Sequence, residues 1–374
     1  MFVIQQIVLR EIRLPLKEPF ETTTGVENER RIFLVELHDP NGVVGWGECV
    51  AGAAPNYSPE TIDTAWMAVR DWIAPRVVGR EIRAPWEIHP ALERNIRGHN
   101  MAKAAVEMAA WEVAAILEGI PLSRLLGGTE TKVGTGISLG LQPSPDALAE
   151  RAKAAIAEGY QRIKVKIHPG SDIQYVRAVF SAVDANAEIM VDANGAYSLS
   201  DGDHLCKLDQ FGLSMIEQPL GYDDVLRHAK LQKEMFTPIC LDESITSLQR
   251  AEDMVATKAG KIINIKPGRV GGFGPAVAIH DFCQEEGVPV WCGGMLESGI
   301  GRAHNVALAS LPNFTMPGDL SPSARYWDQD IVTPEWTMDE KGFVQVPLTK
   351  PGMGVAVDTA RVDALTVRTE KVSA

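Results

Sequence analysis

The sequence predicts an α/β protein: a closed barrel of parallel strands behind an α+β N-terminal segment that the C-terminal tail completes. Three observations predict it. From Val133 to Cys292, short apolar runs alternate with helix-like stretches at the spacing of one strand–helix unit. The chain before Gly127-Gly128 instead alternates like antiparallel strands and then turns helical. After about Asp330 the rhythm stops. A chain of 374 residues has room for two or three domains, or for one large barrel with additions, at roughly 150 residues per domain.

In order, Ile4–Pro15 and Arg31–Leu37 alternate as strands, and Asn41-Gly42 is a hairpin turn signal. Thr61–Val78 and Ala102–Gly119 read as helices. Within the second, Glu107, Glu112 and Glu118 fall at helical spacing, which predicts a buried amphipathic helix and not a membrane span. The barrel strands are expected at Val133–Leu139, Arg162–Ile167, Glu188–Asp192, Leu213–Glu217, Pro238–Asp242, Ile262–Lys266 and Val288–Cys292. Ser144 with Pro145 starts one intervening helix and Gly159 ends it; Ser171 and Ser247 start two more, and Pro275 to Gly287 is another. Six or seven such units in succession favour a closed barrel over an open sheet. Gly342–Val346 and Gly354–Val357 are expected as short strands of a tail that returns to the first domain. The expected divisions are 1–128, 129–325 and 326–374.

Composition excludes whole classes of function. With 36 Lys and Arg against 49 Asp and Glu, the net charge is −13, and no block of five like charges interrupts the mixture. Such a surface repels a phosphate backbone, so no nucleic-acid partner is expected, and no basic membrane-surface role. The first residues lack the basic start, apolar run and cleavage site of a signal peptide, and the five cysteines include no C-x-x-C. A cytoplasmic location with buried thiols is expected.

The informative feature is what ends five successive apolar runs: Lys166, Asp192, Glu217, Asp242 and Lys266, spaced 24 to 26 residues apart. Any one of these has an ordinary explanation, as a helix cap or a solvated lysine. Five in register place them together at the C-terminal mouth of a barrel, where this architecture keeps its chemistry. Three converging carboxylates need a counter-charge, and an all-oxygen set suits a hard divalent ion such as Mg²⁺. In Arg162–Ile167, Lys164 and Lys166 alternate with Ile163, Val165 and Ile167, so both lysines are expected to face the barrel interior. Crowding two ammonium groups there is expected to lower at least one pKa and leave a competent general base.

Lys164-Val165-Lys166, Asp192-Ala193-Asn194, Ile216-Glu217-Gln218-Pro219, Leu241-Asp242-Glu243-Ser244 and Asn264-Ile265-Lys266-Pro267, followed late by Pro351-Gly352-Met353-Gly354, resemble the enolase superfamily in its muconate-lactonizing-enzyme subgroup. The resemblance covers essentially the whole chain. It implies a modified TIM barrel, (β/α)7β, with an α+β capping domain. It further implies Asp192, Glu217 and Asp242 as ligands of Mg²⁺ (Mn²⁺ or another divalent ion able to stand in). Lys166 and Lys266 become acid/base residues on opposite faces of a small carboxylate substrate, and Lys164 orients its carboxylate. Self-association into a homo-oligomer is usual for such barrels.

Trp291 to Arg302 and Arg269, three residues after Lys266, are most similar to o-succinylbenzoate synthases that also racemise N-succinylamino acids. The implied chemistry is removal of the proton α to a carboxylate, giving an enediolate that a divalent ion and a lysine stabilise. Racemisation uses both lysines; syn dehydration to o-succinylbenzoate, a step of menaquinone biosynthesis, uses Lys166 as base and then acid. Dipeptide epimerisation, muconate-type cycloisomerisation and a carboxylate-binding barrel without turnover are the alternatives. Dipeptide epimerases carry an Asp-x-Asp near the eighth strand, where this reading places Met295-Leu296-Glu297. Candidate substrate contacts are Phe20 in a loop near Pro19–Gly25, Tyr57 in a loop at Gly52–Tyr57, Ser138, Asn194, Arg269, Met295, Glu297 and Tyr326.

Overall fold

The computed structural model describes residues 1–22 and 25–373. Its N-terminal sheet has four antiparallel strands in the order Thr366–Ser373, Gln6–Thr22, Gly25–His38, Val44–Cys49. The hairpin at Asn41-Gly42 forms as expected, with the Gly42 amide donating to Asp39 and the Asp39 amide to Val43. The last strand of the chain pairs along Gln6–Ile12, so the end of the tail returns to this sheet, whereas its two short strands do not: Phe343–Gln345 pairs with Lys132–Gly134 and Ala356–Val357 with Val332–Thr333. Both faces of the sheet are buried along Ile32 to Leu37, which is why that segment is apolar with only Glu36 as an interruption. Phe33 and Val35 pack against the helices of the cap, whereas Ile32 and Leu34 face the barrel.

Ile62–Ala68 starts on a Thr61 capping box and continues through a π turn, Val69–Ile73, into Ala74–Val77. The helix Asn100–Glu118 is buried from Met101 to Ala115. Gly47 allows this: a Cβ there would lie 1.9 Å from the Ala105 carbonyl oxygen. Glu107 and Glu112 therefore do not form a polar face, as their spacing suggested. Glu107 accepts from the amides of Phe273 (2.7 Å) and Gly274 (2.8 Å), at the start of the barrel helix Phe273–Glu285. Glu48 does the same for Gly299–Leu308, accepting from the amides of Ser298 (3.1 Å) and Gly301 (3.0 Å). Two cap carboxylates thus answer the orphan N–H groups and dipoles of two barrel helices, which fixes the cap over the barrel mouth.

Glu112 has a different partner. Gly352, at φ +71°, lies so close that a Cβ would sit 2.4 Å from Glu112 Oε1, which explains the glycine in the Pro351–Gly354 turn. Burial pushes the Glu112 carboxyl up to about 7, against one opposing backbone N–H from Met353. An acid whose folded pKa exceeds its unfolded value binds more protons when folded. Its contribution is present at low pH and is lost as pH rises from about 4.5 to about 7. Glu112→Gln removes that dependence. Its stability is expected to gain on the parent between pH 5 and pH 8, by up to about 3 kcal/mol. Urea midpoints at both pH values check this, and a constant difference between the proteins would contradict it.

The barrel has seven consecutive parallel strands, Gly136–Leu139, Arg162–Lys166, Glu188–Asp192, Ile216–Glu217, Ile239–Leu241, Ile262–Ile265 and Val290–Cys292. An irregular eighth strand closes it. Phe314 bridges Val290, Gly318 bridges Thr135, the Asp319 amide donates to Cys292 (2.8 Å) and the Gly136 amide to Gly318 (2.7 Å). Pro145–Ala157 starts at Ser144, Leu248–Thr257 at Ser247, and Ile173–Ala182 at Asp172, one residue later than Ser171. Pro19 to Thr22 belong to the long strand Gln6–Thr22, not to a loop, and Thr23 and Thr24 lie outside the described residues. Among the described residues no helix is long and apolar enough to cross a membrane.

Candidate functional site

The strand register builds the site. Lys166 is level with Asp192, and Asp192 with Glu217, at the ends of the second, third and fourth strands. Asp242 and Lys266 directly follow the fifth and sixth. All five therefore stand at the C-terminal mouth. Asn194, Gln218 and Leu296, just beyond the third, fourth and seventh strands, hold positive φ values of 44°, 39° and 56°. Backbone strain of this kind gathers where a site over-determines its loops.

A cavity of about 500 Å³ lies between mouth and cap. Its wall includes Phe20, Tyr57, Ser138, Lys164, Lys166 and Asp192, and further round Asn194, Lys266, Met295 and Tyr326. Lys166 Nζ donates to Asp192 Oδ2 and Asn194 Oδ1, both at 2.6 Å, so Asn194 holds the lysine and passes its own amide to Glu243 (2.9 Å). Opposite, Lys266 Nζ reaches Asp242 Oδ2 at 2.8 Å and stands 4.6 Å above the Tyr57 ring. The Tyr57 hydroxyl donates to Asp242 Oδ1 at 2.9 Å, carrying the Gly52–Tyr57 segment down onto the barrel.

Several sequence expectations change. Arg269 does not line the cavity. It is buried beneath it, ion-paired with Asp242 and donating to the Ile245 carbonyl (2.7 Å). Glu297 is likewise behind the wall, accepting from Asn305 Nδ2 (2.8 Å) and facing Arg302. Met295-Leu296-Glu297 follows the seventh strand; the eighth ends at Asp319-Leu320-Ser321. The lysine crowding does not lower the Lys164 pKa. Burial opposes its charge, but Asp319, Glu217 and Asp192 outweigh burial and raise it well above the usual value.

Asp319, on the cavity wall, was missed. Its Oδ2 is 2.7 Å from Lys164 Nζ and its Oδ1 3.2 Å from Arg162 Nη2. Arg162 is fully buried and stacks 4.1 Å from the Trp291 ring centre. Asn264, also missed as a contact, donates to Glu217 Oε1 at 2.7 Å.

Among the described residues no three acid, histidine or cysteine side chains already converge as on a metal. Asp192, Glu217 and Asp242 are turned instead onto Lys166, Lys164 and Lys266. The donor set still fits a hard divalent cation: three carboxylates on consecutive strands, all but fully buried. Burial, with Asp192 and Asp242 close by, pushes the Glu217 carboxyl up to about 7. The three acids thus crowd one another.

Cap, closed barrel and polar mouth together define an enzyme of the cap-and-barrel type. Residues 4–127 match the mandelate racemase/muconate lactonizing enzyme N-terminal domain, and residues 147–361 the enolase C-terminal domain-like family. The chain belongs to this family, within the enolase superfamily. It is 47% identical over 363 residues to an o-succinylbenzoate synthase of Geobacillus stearothermophilus, covering 97% of this chain and 96% of that one. It is 44% identical over 355 residues to an N-succinylamino acid racemase of Thermus thermophilus, covering 95% and 94%. A crystal structure of an enolase superfamily member from Listeria innocua superposes with a TM-score of 0.96, at 39% identity and 100% of both chains.

Proposed function

We propose that this enzyme removes the proton α to a carboxylate, acting as an o-succinylbenzoate synthase, an N-succinylamino acid racemase or both. One observation carries the reading. Lys166 and Lys266 face one cavity from the second and sixth strands of an eight-stranded barrel, four strands apart and hence across its diameter. A carbon held between them has an amine on each face. The names of relatives at 47% and 44% identity support the substrate class.

Mg²⁺ held by Asp192, Glu217 and Asp242 would supply positive charge to the substrate carboxylate as the proton leaves. Lys164, at the rim of that acid set, orients the same carboxylate. In racemisation, Lys166 takes the proton from one enantiomer and Lys266 returns one to the opposite face. In syn dehydration, Lys166 takes the proton and then protonates the departing hydroxyl, while Lys266 remains a cation beside the ring. Tyr57 and the cap residues beside it on the cavity wall, from Val50 to Pro59, exclude water from the reacting carbon.

The test incubates enzyme and Mg²⁺ in D₂O with N-succinylamino acids, and separately with the hydroxycyclohexadiene carboxylate that yields o-succinylbenzoate by loss of water. Deuterium at the α-carbon, or the aromatic product, is the expected result. Turnover of muconate or Ala-Glu instead, with neither of these, would overturn the reading.

A further inference from the structure

We propose that Arg30 is the receptor for a second, distal carboxylate of the substrate, so that the site selects dicarboxylates of the succinyl type. The inference rests on the proton-abstraction reading above and deepens it.

Arg30 lies on the strand Gly25–His38 and is only 6% exposed, yet it lines the cavity. Strand alternation puts it on the face of Ile32 and Leu34, toward the barrel, whereas Arg31 points the other way and pairs with Glu11 (2.7 Å) and Asp63 (3.1 Å). The three lysines of the wall each have a carboxylate: Asp319 for Lys164, Asp192 for Lys166, Asp242 for Lys266. Among the described residues Arg30 makes no ion pair. Its Nε is buried without a hydrogen-bond partner, and Nη2 donates to the Met295 carbonyl at 3.3 Å. The buried acids of the cap are committed elsewhere, Glu48 to Ser298 and Gly301, Glu60 to the amides of Met101 and Ala102.

A buried guanidinium without a counter-ion is expensive, and a charge supplied by a ligand removes the cost. Its planar fork suits a carboxylate better than a neutral oxygen. Its place suits the distal end of a substrate. The acids occupy the third to fifth strands, while Met295, which Arg30 touches, follows the seventh. A substrate whose reacting carboxylate sits over the acids extends across the mouth toward Arg30.

The experiment compares N-succinylamino acids with N-acetyl and N-succinamoyl analogues, the last having an uncharged amide in place of the distal carboxylate. In Arg30→Gln the ratio of kcat/KM for succinyl over succinamoyl substrate should fall by about 30-fold, through KM. Arg30→Lys should recover part of that ratio. An unchanged ratio in Arg30→Gln would overturn the inference, whatever the loss of overall rate. If Arg30→Gln does not fold, calorimetry on the parent protein decides: o-succinylbenzoate should bind at least about tenfold more tightly than its distal monomethyl ester, and equal binding would overturn the proposal. Absence of turnover with every N-acyl substrate and of o-succinylbenzoate formation counts against the catalytic reading alone, since the calorimetric comparison still reports on Arg30.

Discussion

Lys166→Ala and Lys266→Ala are each expected to lower racemisation by about 10²- to 10⁴-fold, the usual worth of a positioned general base. Each should still exchange the α-hydrogen of one enantiomer with solvent, and not the same one. That asymmetry separates a two-base site from a single mobile base, because the lysines approach from opposite strands. Both variants should fold. Without Lys166, Asp192 keeps Lys164 at 3.5 Å and the Asn194 amide at 3.0 Å; without Lys266, Asp242 keeps Arg269 and the Tyr57 hydroxyl. For the dehydration only Lys166 handles protons, so Lys266→Ala should reduce that rate less than Lys166→Ala does. Chiral chromatography with NMR in D₂O reads all of this. Normal racemisation by both variants would sink the scheme.

The residues legible in the sequence were those that obey a period. Lys166, Asp192, Glu217, Asp242 and Lys266 recur once per strand–helix unit, so spacing alone brings them to one mouth. Lys164 followed from strand alternation. The residues that escaped obey none. Asp319 ends a strand that includes Pro317-Gly318 and pairs only through isolated bridges, so no apolar run announces it. Arg30 lies beside Arg31 in a charged stretch, and only the pairing of the sheet decides which of the two turns inward. Glu107 and Glu112 kept helical spacing, but their partners, Phe273 and the Gly352 turn, come from distant parts of the chain. Arg269 and Glu297 were found as residues but misplaced for the same reason. Their neighbours Asp242 and Asn305 are set by packing that no local pattern encodes.

Asp319→Asn should affect both stability and the metal, for one electrostatic reason. Asp319 is the only carboxylate among the described residues that holds Arg162 and Lys164 together, both nearly or wholly inaccessible to water. Burial works against its charge, but Lys164 and Arg162 hold its carboxyl below the usual range. Removing that charge leaves two buried cations facing each other, at a cost of about 3–5 kcal/mol in urea unfolding. Lys164 would then have only Glu217 (3.2 Å) and Asp192 (3.5 Å) to lean on. Those are two of the three acids assigned to the divalent ion. Lys164 becomes a competitor for them, and Mg²⁺ affinity measured by calorimetry without substrate should fall by about tenfold, which is about 1.4 kcal/mol. Asp319→Glu, which keeps the charge, should restore much of the affinity even where its longer side chain costs stability. An Asp319→Asn protein that is as stable as the parent and binds Mg²⁺ equally well would mean that Lys164 does not depend on Asp319. The lysine would then be held by the metal-site acids themselves, and charge on the eighth strand would play no part in freeing them.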